Sequence, residues 1–181
     1  MIIRASQAGD LPEILRVYSY ARSFMARTGN PMQWRDGYPS EERIQRDIQT
    51  GCGVVGLGED GRIHAALAML PGDDPTYRVL EGGAWLNDAP YATIHRLAGD
   101  GGIRGIFDAC IAFCRQRCAN LRADTHADNL IMQHLLEGAG FRRCGIIYVG
   151  DGSPRIAYQL PVESKAGRYA VSSNPSDCGE R

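Results

Sequence analysis

The chain has 181 residues, of which 44% are hydrophobic and 23% charged, and its formal net charge at pH 7 is -1. This length suits one domain with a full core and is short for two. The near-neutral balance, with an isoelectric point near 6.4, gives no broad attraction to nucleic acid or an anionic membrane, so we expect neither as a partner. No apolar run reaches the roughly 18 residues of a membrane span, and the start MIIRASQAGD does not resemble a signal peptide. We therefore expect a cytoplasmic protein.

The first part of the chain predicts one strand and two helices. The strand is Ile2 to Ala5, and the first helix runs from about Leu11 to Arg27, with apolar residues spaced by three and four. A second helix covers about residues 40–49 and has acidic residues in its first turn, where the helix dipole favours them.

The linker between these helices, GNPMQWRDGYP, holds large amphipathic side chains in a Gly/Pro-rich loop. Loops carry binding residues more often than scaffolds do. Gln33, Trp34 and Tyr38 are therefore candidates for substrate contact. The alternative for Trp34 is a structural one, in which its ring closes the edge of the core.

The middle of the chain predicts an antiparallel hairpin and an irregular connection. Residues 52–58 and 63–70 are two strands joined at EDGR, where Asp60 and Gly61 suit a hairpin turn. A second turn, PGDDP, is followed by a short extended piece over residues 77–80 that leads to Glu81. The exposed connection after Glu81 is expected to border a cleft.

A strand, a glycine-rich loop and an amphipathic helix follow in immediate succession between residues 91 and 117. Backbone can turn and approach a ligand closely where glycines are this dense, and a helix that begins there presents free N–H groups to an anion. Arg104 within the loop strengthens a phosphate-binding reading. The loop matches neither GxxxxGK[ST] nor GxGxxG, and the alternative is a turn that only changes the direction of the chain.

Two further patterns bear on metal and redox chemistry. Of the six cysteines, Cys110, Cys114 and Cys118 lie on one face of the predicted helix and form no CxxC pair, so we expect reduced core thiols. Asp124 and its neighbours in DTHAD alternate along a strand end, so their side chains need not converge. We predict no metal site.

His95 and Arg96 are adjacent polar residues inside a strand that should be covered on both faces. Alternation predicts that their side chains point to opposite faces, and Asp124 on the next strand is a candidate partner for either. One interpretation is a satisfied structural network. The other is that His95 relays a proton during catalysis, since imidazole titrates near neutral pH.

Three runs of sequence together resemble the GNAT superfamily of acyl-CoA-dependent N-acyltransferases, and in particular a bacterial branch of it. The runs are IHRLAGDGGIRGIFDACIAFC, LRADTHADNLIMQHLLEGAGFRRCGIIYVGDG and SPRIAYQL. The resemblance implies an α/β fold (α+β mixed) whose central sheet is mixed, mostly antiparallel and of about seven strands. It further implies that the sheet splays between strands 4 and 5 and carries about four helices. Residues 1–160 would form this domain, and residues 161–181 would be a C-terminal tail.

The same resemblance implies acetyl-CoA as cosubstrate and assigns residues to it. The backbone near Leu97 and Ala98 would lie along the pantetheine arm, and Asn129 matches an asparagine that touches that arm in relatives. Capping the helix that begins there is the alternative role for Asn129. The loop would bind the pyrophosphate through six residues, Gly102, Ile103, Arg104, Gly105, Ile106 and Phe107.

The chain departs from the family pattern at three positions. Gly102 stands where Gln or Arg is usual, Phe107 replaces a small residue, and Leu136 occupies the place of a tyrosine that protonates the leaving thiolate. The acid for the leaving group therefore stays open between His134, Tyr148 and solvent.

The function that follows is transfer of an acetyl group from acetyl-CoA to a primary amine of a small molecule or amino-acid-like acceptor. The amine would attack directly, without a covalent enzyme intermediate, and His95 and Glu81 are the candidate bases. The linker residues Gln33, Trp34 and Tyr38 would wall the acceptor site. The alternative is a non-catalytic acyl-CoA-binding sensor or assembly module of the same fold. A homodimer is left open.

Overall fold

The structure, a computed structural model, describes residues 1–162 and contains one seven-stranded sheet with four α-helices. The strands are β1 Ile2–Ala5, β2 Gly53–Leu57, β3 Ile63–Pro71, β4 Ala92–Gly99, β5 Leu121–Thr125, β6 Arg142–Tyr148 and β7 Pro154–Leu160. The helices are α1 Leu11–Arg27, α2 Glu41–Gln49, α3 Ile106–Arg117 and α4 Leu130–Gly138. Helix α1 has the predicted bounds, and Ser40 caps α2 by accepting a hydrogen bond from the Arg43 N–H.

The sheet is mixed and mostly antiparallel, as the resemblance implied. Its strand order is β1-β2-β3-β4-β5-β7-β6, and β4–β5 is the parallel pair in this sheet. That parallel ladder is short, because it joins residues 92–94 to residues 121–123 and ends at the Ile94–Ala123 pair. β4 continues for five more residues, to Gly99, after the ladder stops. The two strands therefore separate and leave a cleft between them.

Two core clusters cover the faces of the sheet. Helices α3 and α4 pack on one face through buried residues that include Phe107, Cys110, Ile111, Cys114 and Leu136. Helices α1 and α2 supply Ile14, Val17, Tyr18, Ala21 and Ile44 to the second cluster. The predicted core thiols Cys110 and Cys114 are free and fully buried.

The end of the β4–β5 pair opposite the cleft is closed by a buried amide network. The Gln159 amide donates to Asn120 Oδ1 at 2.8 Å and to Asn87 Oδ1 at 3.2 Å, and its own oxygen accepts from the Leu86 N–H at 2.7 Å. Asn120 in turn donates to Asn87 Oδ1 at 3.0 Å. Both Asn120 and Gln159 are buried, and their amide groups all have partners.

The connection after β3 differs from the prediction. Residues 77–80 were expected to be extended, but Pro75–Tyr77 forms a 3-10 turn. Asp74 caps this turn, because its carboxylate accepts from the Thr76 N–H at 2.9 Å, and Pro75 suits the first position of the turn. The capped turn fixes the position of the Asp74 carboxylate.

In the described part of the chain, no helix is long and apolar enough to cross a membrane. Residues 1–162 also contain no group of three or more His, Cys, Asp or Glu side chains placed to hold a metal ion. The predicted tail, 161–181, lies outside the described residues from position 163 onwards.

Candidate active site

A cavity of about 1050 Å³ occupies the gap where β4 and β5 separate. Helix α1, the linker before α2, the loop after β3, helix α4 and the hairpin between β6 and β7 form its walls. Residues of β4 from Ile94 to its end, together with Ala123 and Asp124 of β5, line its floor. This volume is in the range of small-molecule and cofactor sites.

A β-bulge at Arg96 shapes the open edge of β4. Arg96 and Leu97 together lie opposite one residue of β3, Leu67, because Ala68 pairs with His95 and Ala66 with Ala98. Arg96 has a φ of 57°, which is uncommon for a side chain that is not glycine. The bulge breaks the simple alternation of side chains along β4, and His95 and Arg96 both line the cavity.

Arg96 forms a buried ion pair with Asp47 of α2. Its Nη2 lies 2.8 Å from both Asp47 oxygens and its Nε 3.1 Å from Oδ2, while the Arg96 side chain is 5% exposed. Asp124, the predicted partner, is therefore not the residue that neutralises Arg96. The pair fastens the bulge to α2, and removing either partner is expected to cost about 3 kcal/mol or more.

His95 is paired with a residue that the sequence did not indicate, Asp74. The distance from His95 Nε2 to Asp74 Oδ2 is 2.8 Å. The hydrogen bond from His95, supported by those from Thr76, holds the pKa of the Asp74 carboxyl well below its usual range. An ionised carboxylate accepts only, so we assign the proton to Nε2 in the neutral imidazole. His95 Nδ1 is then left with a lone pair that can accept a proton.

Asp124 belongs to the same cluster but has a different partner. The Tyr77 hydroxyl donates to Asp124 Oδ1 at 2.6 Å, and the Tyr77 ring packs edge-on against the His95 ring with centroids 5.9 Å apart. Burial raises the pKa of Tyr77, so the phenol keeps its proton. His95 and Asp124 are each the first residue beyond the Ile94–Ala123 pair, and they therefore flank the point where the strands divide.

The glycine-rich loop joins the end of β4 to α3. Gly105 is the N-cap of α3 with a φ of 73°, a left-handed conformation that favours glycine. The backbone N–H groups of residues 103–107 have no hydrogen-bond acceptor within residues 1–162. These free donors lie at the positive end of the α3 dipole. The N–H of Gly102, which was also predicted to bind the pyrophosphate, is not free, because it donates to Asp100 Oδ1 at 3.0 Å.

The absence of the usual Gln or Arg at position 102 has a structural reason. A Cβ atom at Gly102 would lie 2.7 Å from His64 Nδ1, so a larger residue does not fit beside the imidazole. His64 joins Asp60 and Asp100 at 3.1 Å and 3.0 Å, and Arg16 also binds Asp100, at 2.9 Å. We call these four residues the loop brace. The loop brace contacts the glycine-rich loop through Asp100, which accepts from the Gly102 N–H.

Asn129 acts as the cap of α4, which confirms the alternative role. Its Oδ1 accepts from the Met132 N–H at 3.1 Å, and its Nδ2 donates to Gln33 Oε1 at 2.8 Å. The Gln33 oxygen also accepts from Asn30 at 2.7 Å. Both Asn129 and Gln33 line the cavity, and their hydrogen bond ties the linker to α4.

Trp34 and Tyr38 line the same wall and also have packing roles. The Trp34 ring lies edge-on to Tyr18 at 5.6 Å between centroids and packs against the second core cluster. Tyr38 lies 6.4 Å from Trp34, and its hydroxyl is 3.4 Å from Arg96 Nη1. The two readings of Trp34, as a core plug and as a cavity wall, are therefore both compatible with its position.

The structure does not bring Glu81 together with His95. Glu81 is exposed and outside the cavity lining, and its carboxylate accepts from the Tyr148 hydroxyl at 2.9 Å. The backbone of Glu81 is bridged to Ile146, which keeps it on the β6 side. Tyr148 and His134, two of the predicted acids, also lie outside the lining, whereas Leu136 is part of it.

Sequence reasoning missed two cavity-lining residues, Asp74 and Arg155. The segments PGDDP and SPRIAY contain them, but neither segment shows which strand these residues contact. Only the Asp-Pro order of Asp74 and Pro75, typical of a capped turn, was a usable signal.

Comparison with known proteins places this geometry in a family. No protein-family model matches the chain, and no curated protein sequence matches it. A GNAT-family acetyltransferase structure from Streptococcus agalactiae is 32% identical, covers 90% of this chain and 96% of that chain, and has a TM-score of 0.76. The chain belongs to the GNAT family of acetyltransferases.

Two more distant structures share the fold. A GNAT-family acetyltransferase from Listeria monocytogenes is 18% identical, covers 87% of this chain and 92% of its own, and has a TM-score of 0.64. A GNAT superfamily phosphinothricin acetyltransferase from Sinorhizobium meliloti, solved in complex with acetyl-CoA, is 18% identical over 94% of both chains with a TM-score of 0.61.

Proposed function

We propose that the protein transfers an acetyl group from acetyl-CoA to a primary amine of a small molecule. The observation that carries this proposal is the Asp74–His95 pair, which stands at the point where β4 and β5 divide and faces the cavity. A paired imidazole can accept the proton of the attacking amine, and an open strand edge offers backbone donors to the carbonyl, so both assist direct acyl transfer. GNAT membership and the acetyl-CoA complex of a relative support the choice of cosubstrate.

The residues present fit acetyl-CoA. The edge of β4 over residues 95–99 is unpaired on the β5 side, which leaves backbone near Leu97 and Ala98 for the pantetheine arm. The free N–H groups of residues 103–107 suit a diphosphate, and Arg104 adds a positive charge to the same loop. When bound there, acetyl-CoA supplies an activated thioester carbonyl.

The chain's own groups then have distinct roles. Asp74 holds Nε2–H of His95 and stabilises the imidazolium that forms when Nδ1 takes the proton of the amine, directly or through water. Backbone N–H groups at the bulge polarise the carbonyl. Trp34, Tyr38 and Gln33 wall the acceptor side.

The buried cysteines have no part in this mechanism. Burial raises the pKa of both Cys110 and Cys114 to about 12, so neither supplies a thiolate nucleophile near neutral pH. Direct attack by the amine requires no covalent enzyme intermediate.

A non-catalytic acyl-CoA-binding module is the second candidate. Leu136 lines the cavity where many relatives have a tyrosine acid, and this supports binding without turnover. A thiol is a good leaving group, however, so a dedicated acid is dispensable.

Free-thiol release from acetyl-CoA with a panel of primary amines tests the proposal. We expect amine-dependent release by the wild type, and a loss of about 10- to 1000-fold in kcat for Asp74→Asn with CoA affinity retained. Tight acetyl-CoA binding without release for any amine would establish the binding module instead.

A further inference from the structure

Arg155 is a buried charge in the cavity wall with no carboxylate of residues 1–162 within ion-pair distance, although the more distant Asp151 attracts it electrostatically. The residue is 7% exposed, yet it lines the cavity. Its Nη1 donates to Ser153 Oγ at 2.8 Å and to the Pro154 carbonyl at 3.0 Å, and both acceptors are neutral. Within residues 1–162, no carboxylate forms an ion pair with Arg155, whereas the equally buried Arg96 has Asp47.

The nearest acidic group on the same hairpin is already engaged. Asp151 Oδ1 accepts from the Ser153 hydroxyl and from the Ser153 N–H, at 2.5 Å and 2.9 Å. Ser153 therefore links Asp151 to Arg155 and fixes one nitrogen of the guanidinium. Asp151 also lies 3.9 Å from Arg35 of the linker. The remaining guanidinium donors are left for another acceptor.

The register of β7 places Arg155 near the catalytic cluster. Ala157 pairs with Asp124, and Arg155 precedes Ala157 by two residues, so the two positions share a face of the sheet. Two residues along a strand span roughly 6 to 7 Å. Arg155 thus lies just beyond the carboxyl end of β5, on the side of Asp124 and its partner Tyr77.

Burying a guanidinium whose hydrogen-bond acceptors are neutral is costly, because its solvation by water is lost without a contacting carboxylate. The attraction from Asp151 offsets this cost only in part, because the Asp151 side chain is exposed and its charge is screened. A ligand anion removes this cost when it binds. Arginine presents a planar fork of donors that matches a carboxylate in two parallel hydrogen bonds. An anion that lies against Arg155 would therefore give its remaining donors a charged acceptor.

We propose that Arg155 binds a carboxylate of the acceptor, so that the substrates are amino-acid-like compounds with a primary amine one to a few carbon atoms from a carboxylate. The inference rests on the proposed function for the meaning of acceptor. It adds a specificity residue that lies on β7, away from the groups assigned to acetyl-CoA. Asp124 and the Asp74–His95 pair receive the amine end, and Arg155 receives the acidic end.

Matched pairs of acceptors test this inference in steady-state kinetics. Each amino acid is compared with its amide and with the amine that lacks the carboxyl group. We expect wild-type kcat/KM to favour the amino acids by roughly 10- to 100-fold, the usual worth of a hydrogen bond to a charged group. Arg155→Met should abolish this preference through KM, and Arg155→Lys should keep part of it. Equal use of all three compounds by the wild type overturns the inference.

Arg43→Met is the matched control, because Arg43 also lines the cavity but is exposed and belongs to no proposed binding group. It should keep the wild-type preference. CoA affinity should be the same in Arg155→Met and wild type. A selective loss of CoA affinity would assign Arg155 to a phosphate of the cosubstrate and overturn the inference.

A binding measurement separates this inference from the proposed reaction. Calorimetry with CoA-saturated protein compares an N-acetyl amino acid with its amide. Tighter binding of the acid to wild type, with a preference that is reduced in Arg155→Lys and absent in Arg155→Met, supports the inference even if no amine is acetylated, in which case only the proposed reaction fails. Equal binding of acid and amide to wild type overturns the inference. Circular dichroism melting identifies a variant that has lost its fold, and Arg155→Lys then carries the comparison.

Discussion

The two ends of the β4–β5 pair use polar residues in opposite ways. At the closed end, residues 92–94 are hydrogen-bonded to β5, and the amides of Asn120 and Gln159 satisfy one another and their neighbours. At the open end the strands have separated, and His95, Asp124 and Arg155 face a cavity. One short ladder of three residue pairs divides a structural network from a binding site.

The two ends differ in whether the protein itself supplies partners for their hydrogen-bonding and charged groups. Every amide group of Gln159 has a protein partner. Thr93 Oγ1 and Arg122 Nε at the same end are buried without a hydrogen-bond partner, but neither residue lines the cavity, and the Arg122 guanidinium stacks on the rings of Trp85 and Tyr91. At the open end, His95 Nδ1 and part of the Arg155 guanidinium have no partner among the described residues. Substitutions at the closed end should therefore affect stability, and those at the open end should affect chemistry.

His95→Gln should give the largest effect on activity. If it left kcat unchanged, it would contradict the assignment of the open end to chemistry. Glutamine can still donate to Asp74 but cannot accept a proton as imidazole does, so kcat should fall by about 10²- to 10⁴-fold. Stopped-flow thiol detection measures the rate, and calorimetry measures CoA affinity, which should stay near wild type. A loss of folding stability with an unchanged kcat would show that His95 has a structural role instead.

Gln159→Leu tests the closed end. Removal of the amide leaves Asn120 Oδ1 and the Leu86 N–H without their partner, whereas Asn87 Oδ1 keeps the hydrogen bonds from Asn120 and Ala89. The free energy of unfolding should therefore fall by about 2 to 4 kcal/mol. Urea denaturation measures this change, while kcat/KM below the melting temperature should stay within about twofold of wild type. Gln45→Leu, on the surface of α2, is the control and should change stability by less than about 0.5 kcal/mol. A stable Gln159→Leu protein with impaired kinetics would contradict the division.

Gly105→Val tests whether the glycine-rich loop belongs to the cosubstrate site at the open end. A side chain at a φ of 73° is strained by roughly 1 to 2 kcal/mol, and the loop should relax away from the geometry that aligns its N–H groups. CoA affinity should fall about 10-fold or more by calorimetry. Gly138→Val near the end of α4, where no atom lies within 4 Å of the added Cβ, is the control. Equal CoA affinities of the two variants would contradict the proposed binding of the diphosphate by residues 103–107.

The loop brace should give the smallest effect, visible as a pH dependence. Burial lowers the pKa of His64, but its hydrogen bonds to Asp100 and Asp60 outweigh this and leave the pKa raised. The charged imidazolium of His64 therefore stabilises the folded protein fully at pH values below the pKa of His64 in the unfolded chain, near 6.5. This stabilisation is lost as the pH rises through the higher pKa of His64 in the folded protein. The stability difference between wild type and His64→Gln should therefore shrink from pH 5.5 towards pH 9 in urea titrations. A difference that grows with pH would contradict this account.

Periodic and local features of this protein were predictable from sequence. The bounds of α1 follow from apolar residues at helical spacing, and the glycine-rich loop before α3 follows from its composition. The family resemblance supplied the mixed sheet and its splay, which periodicity alone does not specify. His95 was also a candidate, since a polar residue inside a covered strand needs a reason.

The partners of the candidate residues were not predictable, because they depend on contacts between distant parts of the chain. Asp74 lies in the predicted turn PGDDP, but its contact with His95 depends on the capped 3-10 turn over Pro75–Tyr77, which the sequence did not indicate. The bulge at Arg96 interrupts the expected alternation, and a single strand sequence carries no signal for it. Arg155 carried no signal of its own in the sequence, and it reaches the cavity wall only through the β6–β7 hairpin.

A crystal structure of the protein with bound CoA tests the central claim most directly. We predict that the diphosphate lies on the N–H groups of residues 103–107 and that the sulfur enters the gap between β4 and β5 beside His95, within a few ångströms of where an amine would attack. A diphosphate bound elsewhere, or a gap filled by the protein's own side chains in the complex, would contradict the account.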